Sequence, residues 1–270
     1  MSPLNTPLLN YRIYYMNKAE KLSTFVIGFL AGGAAGLVFY GGLFRDEDGL
    51  TTNMTTFSNI VVFLIVGLIG WKFFSSVRKK QLREKRLKEL TQQFRSFLDS
   101  LAVSLASGMN MRDSLMTTYA DLKVEFSEKA YMTKEVQEMV AGLQNNIPIE
   151  DMMNSLAQRS QIIDIKNFSA VFEISYRTGG NLKDVVRRTN DIIGEKIEIE
   201  EEIKTSIASN KTQFSVMMVI PVIIILLLRF MSSDFAAGFA TAAGVAAMTV
   251  AVVIFIIAYI LGQKISDVKG

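Results

Sequence analysis

The residues that could do chemistry are few, and their types set narrow limits. Among 270 residues there is no cysteine and no histidine. That removes disulfides, thiol chemistry, zinc sites of the usual kind and every mechanism with a histidine general base. Serine, lysine and carboxylates remain. No serine sits in a strained, glycine-flanked turn, and neither a Gly-x-x-x-x-Gly-Lys-Ser/Thr loop nor a Gly-x-Gly-x-x-Gly after a strand occurs, so nothing points to nucleotide binding. No cofactor or metal is implied, the chain is expected not to be an enzyme, and any ATP-driven work falls to a partner.

Two charged clusters are left as contact surfaces. The belt Glu195, Glu198, Glu200, Glu201 and Glu202 is foremost a solvated helix face, with a divalent cation or a basic partner surface as the alternatives. The basic run Arg78 to Lys88 (RKKQLREKRLK) sets Arg78, Lys79, Lys80 and Arg83 beside an apolar stretch, where anionic lipid headgroups are a simpler partner than nucleic acid. A net charge of +3 against 26 acidic residues fits local membrane topology better than nucleic-acid affinity.

The elements that must carry these clusters follow from hydropathy. Half of the chain is hydrophobic and its mean hydropathy is +0.27, which indicates a membrane protein. Residues 1–24 form a polar N-terminal segment. Phe25 to Phe44 then runs without a charge for about 30 Å of helix, the thickness of the hydrocarbon core. A cleaved signal peptide is the rival for this run, but it is long for one and no small-x-small site follows. Within it Gly28, Gly32 and Gly36 share a face, suited to close helix packing, first against the chain's own spans. Residues 45–56, with Arg45, Asp46, Glu47 and Asp48, suit an outer loop. The second apolar run, 57–77, ends at Trp71 and Lys72, an interfacial aromatic and a stem that can snorkel.

Residues 78–211 are polar and carry apolar residues in steps of three and four: Leu87, Leu90, Phe94, Phe97, Leu98, Leu101 and Leu105, then Leu115 and Tyr119, then Val136, Met139, Val140 and Leu143. Met152, Leu156, Phe168, Val171 and Phe172 continue the pattern. A last helix runs through Leu182, Val185, Val186, Ile192, Ile193, Ile197, Ile199, Ile203 and Ile207. Single stripes at this period predict a helical bundle. Seven of its basic residues fall in the first eleven positions, which predicts a cytoplasmic location.

Two breaks look alike. Gly108 with Asn110 and Asp113, and Gly179 and Gly180 with Asn181 and Asp184, each put glycine where a helix ends, asparagine as the next cap and aspartate near the positive helix end. A third break uses Pro148, expected at the first helical position. A third apolar stretch, 212–230, holds Pro221, which removes a donor and should kink the span. An outer turn, 231–234, leads into a fourth stretch, 235–262, and a cytoplasmic C-terminus, 263–270. The expected fold is an all-α membrane protein: four transmembrane helices with a central cytoplasmic helical bundle between spans 2 and 3, and both termini in the cytoplasm.

From about Phe94 to Leu228 the chain resembles the inner-membrane platform proteins of type II secretion, type IV pilus and Tad pilus machines. The resemblance is carried by FRSFLDSLAVSLASGMNMRDSL, by FSAVFEISYRTGGNLKDVVRRTNDII with its second glycine turn, and by a charged helix leading into the span with Pro221. One copy of the domain between two span pairs is closer to the Tad branch than to members with two copies. Where many secretion members place Gly-Glu before the second turn, this chain has Tyr176 and Arg177, so no acidic site is carried over. The resemblance implies a non-catalytic scaffold in the cytoplasmic (inner) membrane of a prokaryote, coupling a secretion ATPase to pilin subunits. It also implies a paralogous platform protein or a second copy of itself as partner, alongside the lipid membrane. A membrane-anchored helical signal-relay protein is the alternative.

Overall fold

In the computed structural model residues 8–43, 52–231, 238–239 and 241–266 are described, and among them there is no strand. The described residues form eight helices in order: α1 (Lys18–Tyr40), α2 (Asn53–Ala106), α3 (Met111–Phe126), α4 (Tyr131–Gln144), α5 (Ile149–Ser160), α6 (Ile163–Thr178), α7 (Leu182–Met231) and α8 (Ala242–Ser266). The chain divides into two compact units. One contains the described part of Met1–Tyr15 together with Lys79–Ile199, and the other Met16–Arg78 and Glu200–Gly270.

The first unit is a bundle in which α3 packs on α4, α4 on α5 and α5 on α6. Its centre is the C-terminal part of α2, which buries Leu90, Phe94, Phe97, Leu98 and Leu101 almost completely. These positions are separated by three and four residues, so one stripe of the helix faces inward. Phe94 stacks on Phe97 and meets Phe168 of α6 edge to face at 5.5 Å, and Phe168 continues to Phe172. Leu115 and Leu122 of α3, Met132, Val136 and Met139 of α4, and Met153 and Leu156 of α5 close the core. Of the apolar positions expected on the inner stripes, Val171, Ile192 and Ile199 are instead exposed. Val171 and Ile192 each sit one position beside a buried residue, Phe172 and Ile193, at the edge of the stripe, whereas Ile199 lies between exposed Glu198 and Glu200.

Short breaks between helices are set by backbone geometry. Ser127, Asn146 and Gln161 take positive φ, a region that costs a non-glycine residue energy. The start of α4 has no cap from its own side chain, and Gln93 of α2 takes that role by accepting from the Met132 N–H at 2.9 Å.

In the second unit, α1 begins at Lys18, seven residues ahead of the apolar run. Asn17 caps it, accepting from Lys18 N–H at 2.7 Å, while its own N–H donates to Glu20 at 2.9 Å. The helix ends at Tyr40, and Phe44 with the following outer-loop residues 45–51 lies outside the described residues. α2 then runs for 54 residues through both the apolar stretch and the basic run. α1 and α2 pack backbone to backbone. A Cβ on Gly32 would lie 2.8 Å from the Val66 carbonyl and 3.0 Å from the Gly70 Cα, and Gly28 is equally close to Trp71. The glycine face is thus used within the chain.

Among the described residues three helices are long and apolar enough to cross a membrane: Lys18–Tyr40, Asn53–Ala106 over its apolar part, and Ala242–Gly262. A shorter apolar helical stretch, Thr212–Leu228, lies within α7. α7 passes through Pro221 without ending, because a proline forfeits its own bond and disturbs one turn while the ladder resumes beyond it. α8 starts at Ala242, after Thr241, whose hydroxyl accepts from Gly244 N–H at 3.0 Å. The turn residues 232–237 lie outside the described residues. Phe214 of α7 stacks on Tyr259 of α8, and Tyr40 donates to Thr249 at 3.3 Å.

The α1–α2 contact yields a test. Gly32→Val overpacks a site closed by backbone, at a cost of about 1–3 kcal/mol, and should lower the thermal midpoint of the detergent-solubilised protein. Gly238→Ala, with nothing within 4 Å of the added carbon, should leave that midpoint unchanged.

Candidate functional site

The densest polar cluster lies where an N-terminal strap meets the bundle. α4 carries Glu135 at a position flanked by buried Met132, Val136 and Met139, so helical spacing turns its carboxylate inward and leaves it 5% exposed. α5 presents Arg159 from its last turn, where the negative helix end favours a cation. The two meet fork to fork, with Nη1 donating to Glu135 Oε1 at 2.7 Å and Nη2 to Oε2 at 2.5 Å. Arg159 Nε also donates to Ser155 Oγ at 3.2 Å.

Onto this pair comes Tyr11, 1% exposed. Its hydroxyl donates to Glu135 Oε1 at 2.6 Å, its backbone N–H donates to the Arg159 carbonyl at 3.2 Å, and Arg159 Nη1 donates to the Leu9 carbonyl at 3.0 Å. The Tyr11 ring meets Tyr131 edge to face at 5.8 Å. Farther along the strap, the Arg86 guanidinium lies 4.4 Å from the Tyr14 ring centroid and donates to the Ile13 carbonyl at 3.4 Å.

Burial, reinforced by the Glu135 charge, pushes the Tyr11 phenol far above its ordinary ionisation. Burial works against the Arg159 charge, yet the bonds and charge of Glu135 outweigh it and raise its pKa. At neutral pH the cluster is a neutral phenol on a closed ion pair. It offers no activated nucleophile and no poised base.

The turn residues form matched caps. Gly108 takes φ +84° and Gly179 φ +69°, where glycine is the low-cost residue. Asn110 accepts from Asp113 N–H at 2.9 Å and donates to its carboxylate at 2.7 Å. Asn181 does the same with Asp184, at 3.4 and 2.5 Å. Gly180 N–H donates to the Ser175 carbonyl at 2.7 Å, closing α6. Pro148 sits at the cap position of α5, one residue before the first helical position expected for it. Its carbonyl accepts from Met152 N–H, a role that needs no N–H of its own.

Arg78, Lys79, Lys80 and Arg83 are exposed, as are Glu198, Glu201 and Glu202. Neither group reaches the strap. Among the described residues no acidic set converges to hold a metal ion. Arg177, next to the second turn, pairs with Glu150 of α5 at 3.5 Å and with Glu173 at 3.3 Å. Between α6 and α7 a groove of about 410 Å³ is lined by Phe168, Val171, Val185 and Ile192, with Asp164 and Arg188 at its edge.

The bundle, its two glycine turns and the helix that leaves it fall within one recognised domain. Residues 97–230, about half of the chain, match the model described as type II secretion system, protein F. The chain belongs to that family. Its members are non-enzymatic membrane platform proteins of secretion and pilus-type machines, and the three apolar helices mark this one as a multi-pass inner-membrane protein. No curated protein and no solved structure matches it.

Tyr11, Glu135, Arg159 and Arg86 were not singled out by motif or periodicity. A signal for Glu135 existed: a carboxylate at the register of an apolar stripe requires a partner. Arg159→Ala, which leaves that carboxylate buried without its counter-charge, should cost about 3–5 kcal/mol in thermal or denaturant unfolding. The double variant Glu135→Gln with Arg159→Met should cost less than the single one.

Proposed function

We propose that the chain is the platform of a type IV or Tad-like pilus, or of a type II secretion machine, and couples a cytoplasmic secretion ATPase to pilin assembly. In this reading four spans cross the inner membrane, and the bundle and both termini are cytoplasmic. The single observation that carries it is the continuity of α2 and α7. Each is one helix from the bundle core into an apolar stretch, which gives a movement of the bundle a helical path toward the membrane.

The topology has its own support. The strap before α1 and the helices after the first hairpin belong to one compact unit, which requires an even number of crossings between them. Thr212–Leu228 provides about 25 Å of apolar helix, short for an average bilayer. Lys211 and Arg229, which flank it in sequence, are residue types that reach from within a membrane to its surface, and local thinning accommodates the rest. The exposed Arg78, Lys79, Lys80 and Arg83 then face anionic headgroups. The exposed belt Glu198, Glu201 and Glu202 is available to a basic partner surface, and a paralogous platform protein or a second copy completes the membrane assembly.

The chain has no native thiol, so single cysteines report position cleanly. Glu125→Cys and Tyr15→Cys should react with an impermeant maleimide only after permeabilisation, and Thr52→Cys without it; outside labelling at Glu125→Cys would end the reading. Gly179→Val with Gly180→Val, placing a β-branched residue at a positive φ, should abolish pilus assembly while membrane insertion stays normal. Binding of the full-length chain to the candidate ATPase, measured by co-purification, should survive Pro221→Ala.

A further inference from the structure

The strap contact is more than a packed terminus. We infer that the Glu135–Arg159 cleft is a binding site for the chain's own segment Leu8–Tyr14, and that this docking ties the first membrane helix to the bundle. Two kinds of contact support the first half. Tyr11 is almost wholly buried and its hydroxyl joins a carboxylate that already holds an arginine. The backbone is held as well, at Leu9, Tyr11 and Ile13, by Arg159 and Arg86. Side-chain insertion with main-chain bonds on both sides is how a cleft takes an extended peptide.

The second half follows from chain length. Only Tyr15, Met16 and Asn17 separate the docked segment from α1, and Asn17 is fixed as its cap by bonds to Lys18 and Glu20. Three residues reach at most about 10 Å, so the connection is short. α2 leaves the bundle by helical continuity and α1 by the strap. Both ends of the first hairpin are therefore held by the bundle, and displacement of α4 and α5 is delivered to α1 through Tyr11. The functional consequence rests on the platform reading, whereas the docking itself does not.

Trypsin acting on the full-length chain in mild detergent decides the docking. Arg12 is exposed, but its neighbours' backbone bonds keep it out of a protease cleft until the strap lets go, so cutting there measures release. In Tyr11→Ala cutting after Arg12 should speed up at least tenfold, and in Tyr11→Phe, which loses only the hydroxyl, about threefold. Cutting after Lys129, in the exposed turn between α3 and α4, should stay constant and report an intact bundle. Equal rates at Arg12 in the wild type and Tyr11→Ala overturn the docking. If the alanine variant also opens at Lys129, the phenylalanine variant decides in its place: faster cutting at Arg12 alone supports the docking, and an unchanged rate overturns it.

In the host, Tyr11→Ala should lose pilus assembly with insertion preserved. Normal piliation with a released strap overturns the coupling. Deletion of the whole chain without effect on pili would instead refute the platform reading, and the proteolysis result would stand by itself.

Discussion

One helix in this protein has to satisfy two solvents. The first part of α2 is apolar on all sides and leaves Ile60, Leu64, Ile65, Leu68 and Ile69 facing outward, which only lipid makes favourable. The basic run follows within the same helix. Directly after it Leu90, Phe94, Phe97, Leu98 and Leu101 are buried together in the bundle. Around this stripe the other bundle helices collect, and Phe168 and Phe172 of α6 meet it through Phe94. The inner wall of the bundle is therefore built on the continuation of a membrane helix.

The Glu135–Arg159 pair needs a different justification. A buried ion pair barely repays the loss of hydration of its two charges, and apolar residues of similar size often give more stability. Its return here is geometric. The fork fixes the guanidinium so that one nitrogen faces the Leu9 carbonyl, and fixes the carboxylate so that one oxygen faces the Tyr11 hydroxyl. A leucine and methionine in their place would pack, but would hold no particular register of an incoming strand. Specificity of docking, rather than net stability, is what such a pair contributes.

How much of this could be seen from the residues alone depends on where each signal lay. The helical bundle was legible because its stripes recur at three and four residues, and the two glycine turns because only a few residue types favour a left-handed helix end and the cap after it. The breaks at Ser127 and Gln161 were not, since neither carries glycine or proline and their positive φ is imposed by the helices on either side. Similarly the α4 cap comes from Gln93 in another helix. Val171 and Ile192 were expected inside and lie outside, because periodicity gives a helix face only to within a residue. The strap site was hidden for the plainest reason: Tyr11 and Glu135 are 124 residues apart, and no local pattern connects them.

The chemistry of the strap also limits what could control it. Tyr11 is faced by Glu135 and Tyr131 from α4 and by Arg159 from α5, and its ionisation is raised by burial first and by the Glu135 charge second. A phenol whose folded pKa lies above its unfolded value stabilises the docked state fully below the unfolded value, near 10, and loses that contribution only as pH climbs beyond it. Arg159 stays charged throughout, as its own raised pKa requires. Across the neutral range neither group changes state, so proton uptake by the phenol or the guanidinium supplies no release signal. That is consistent with a chain without histidine or cysteine, lacking the two side chains most readily switched by acidity or redox state.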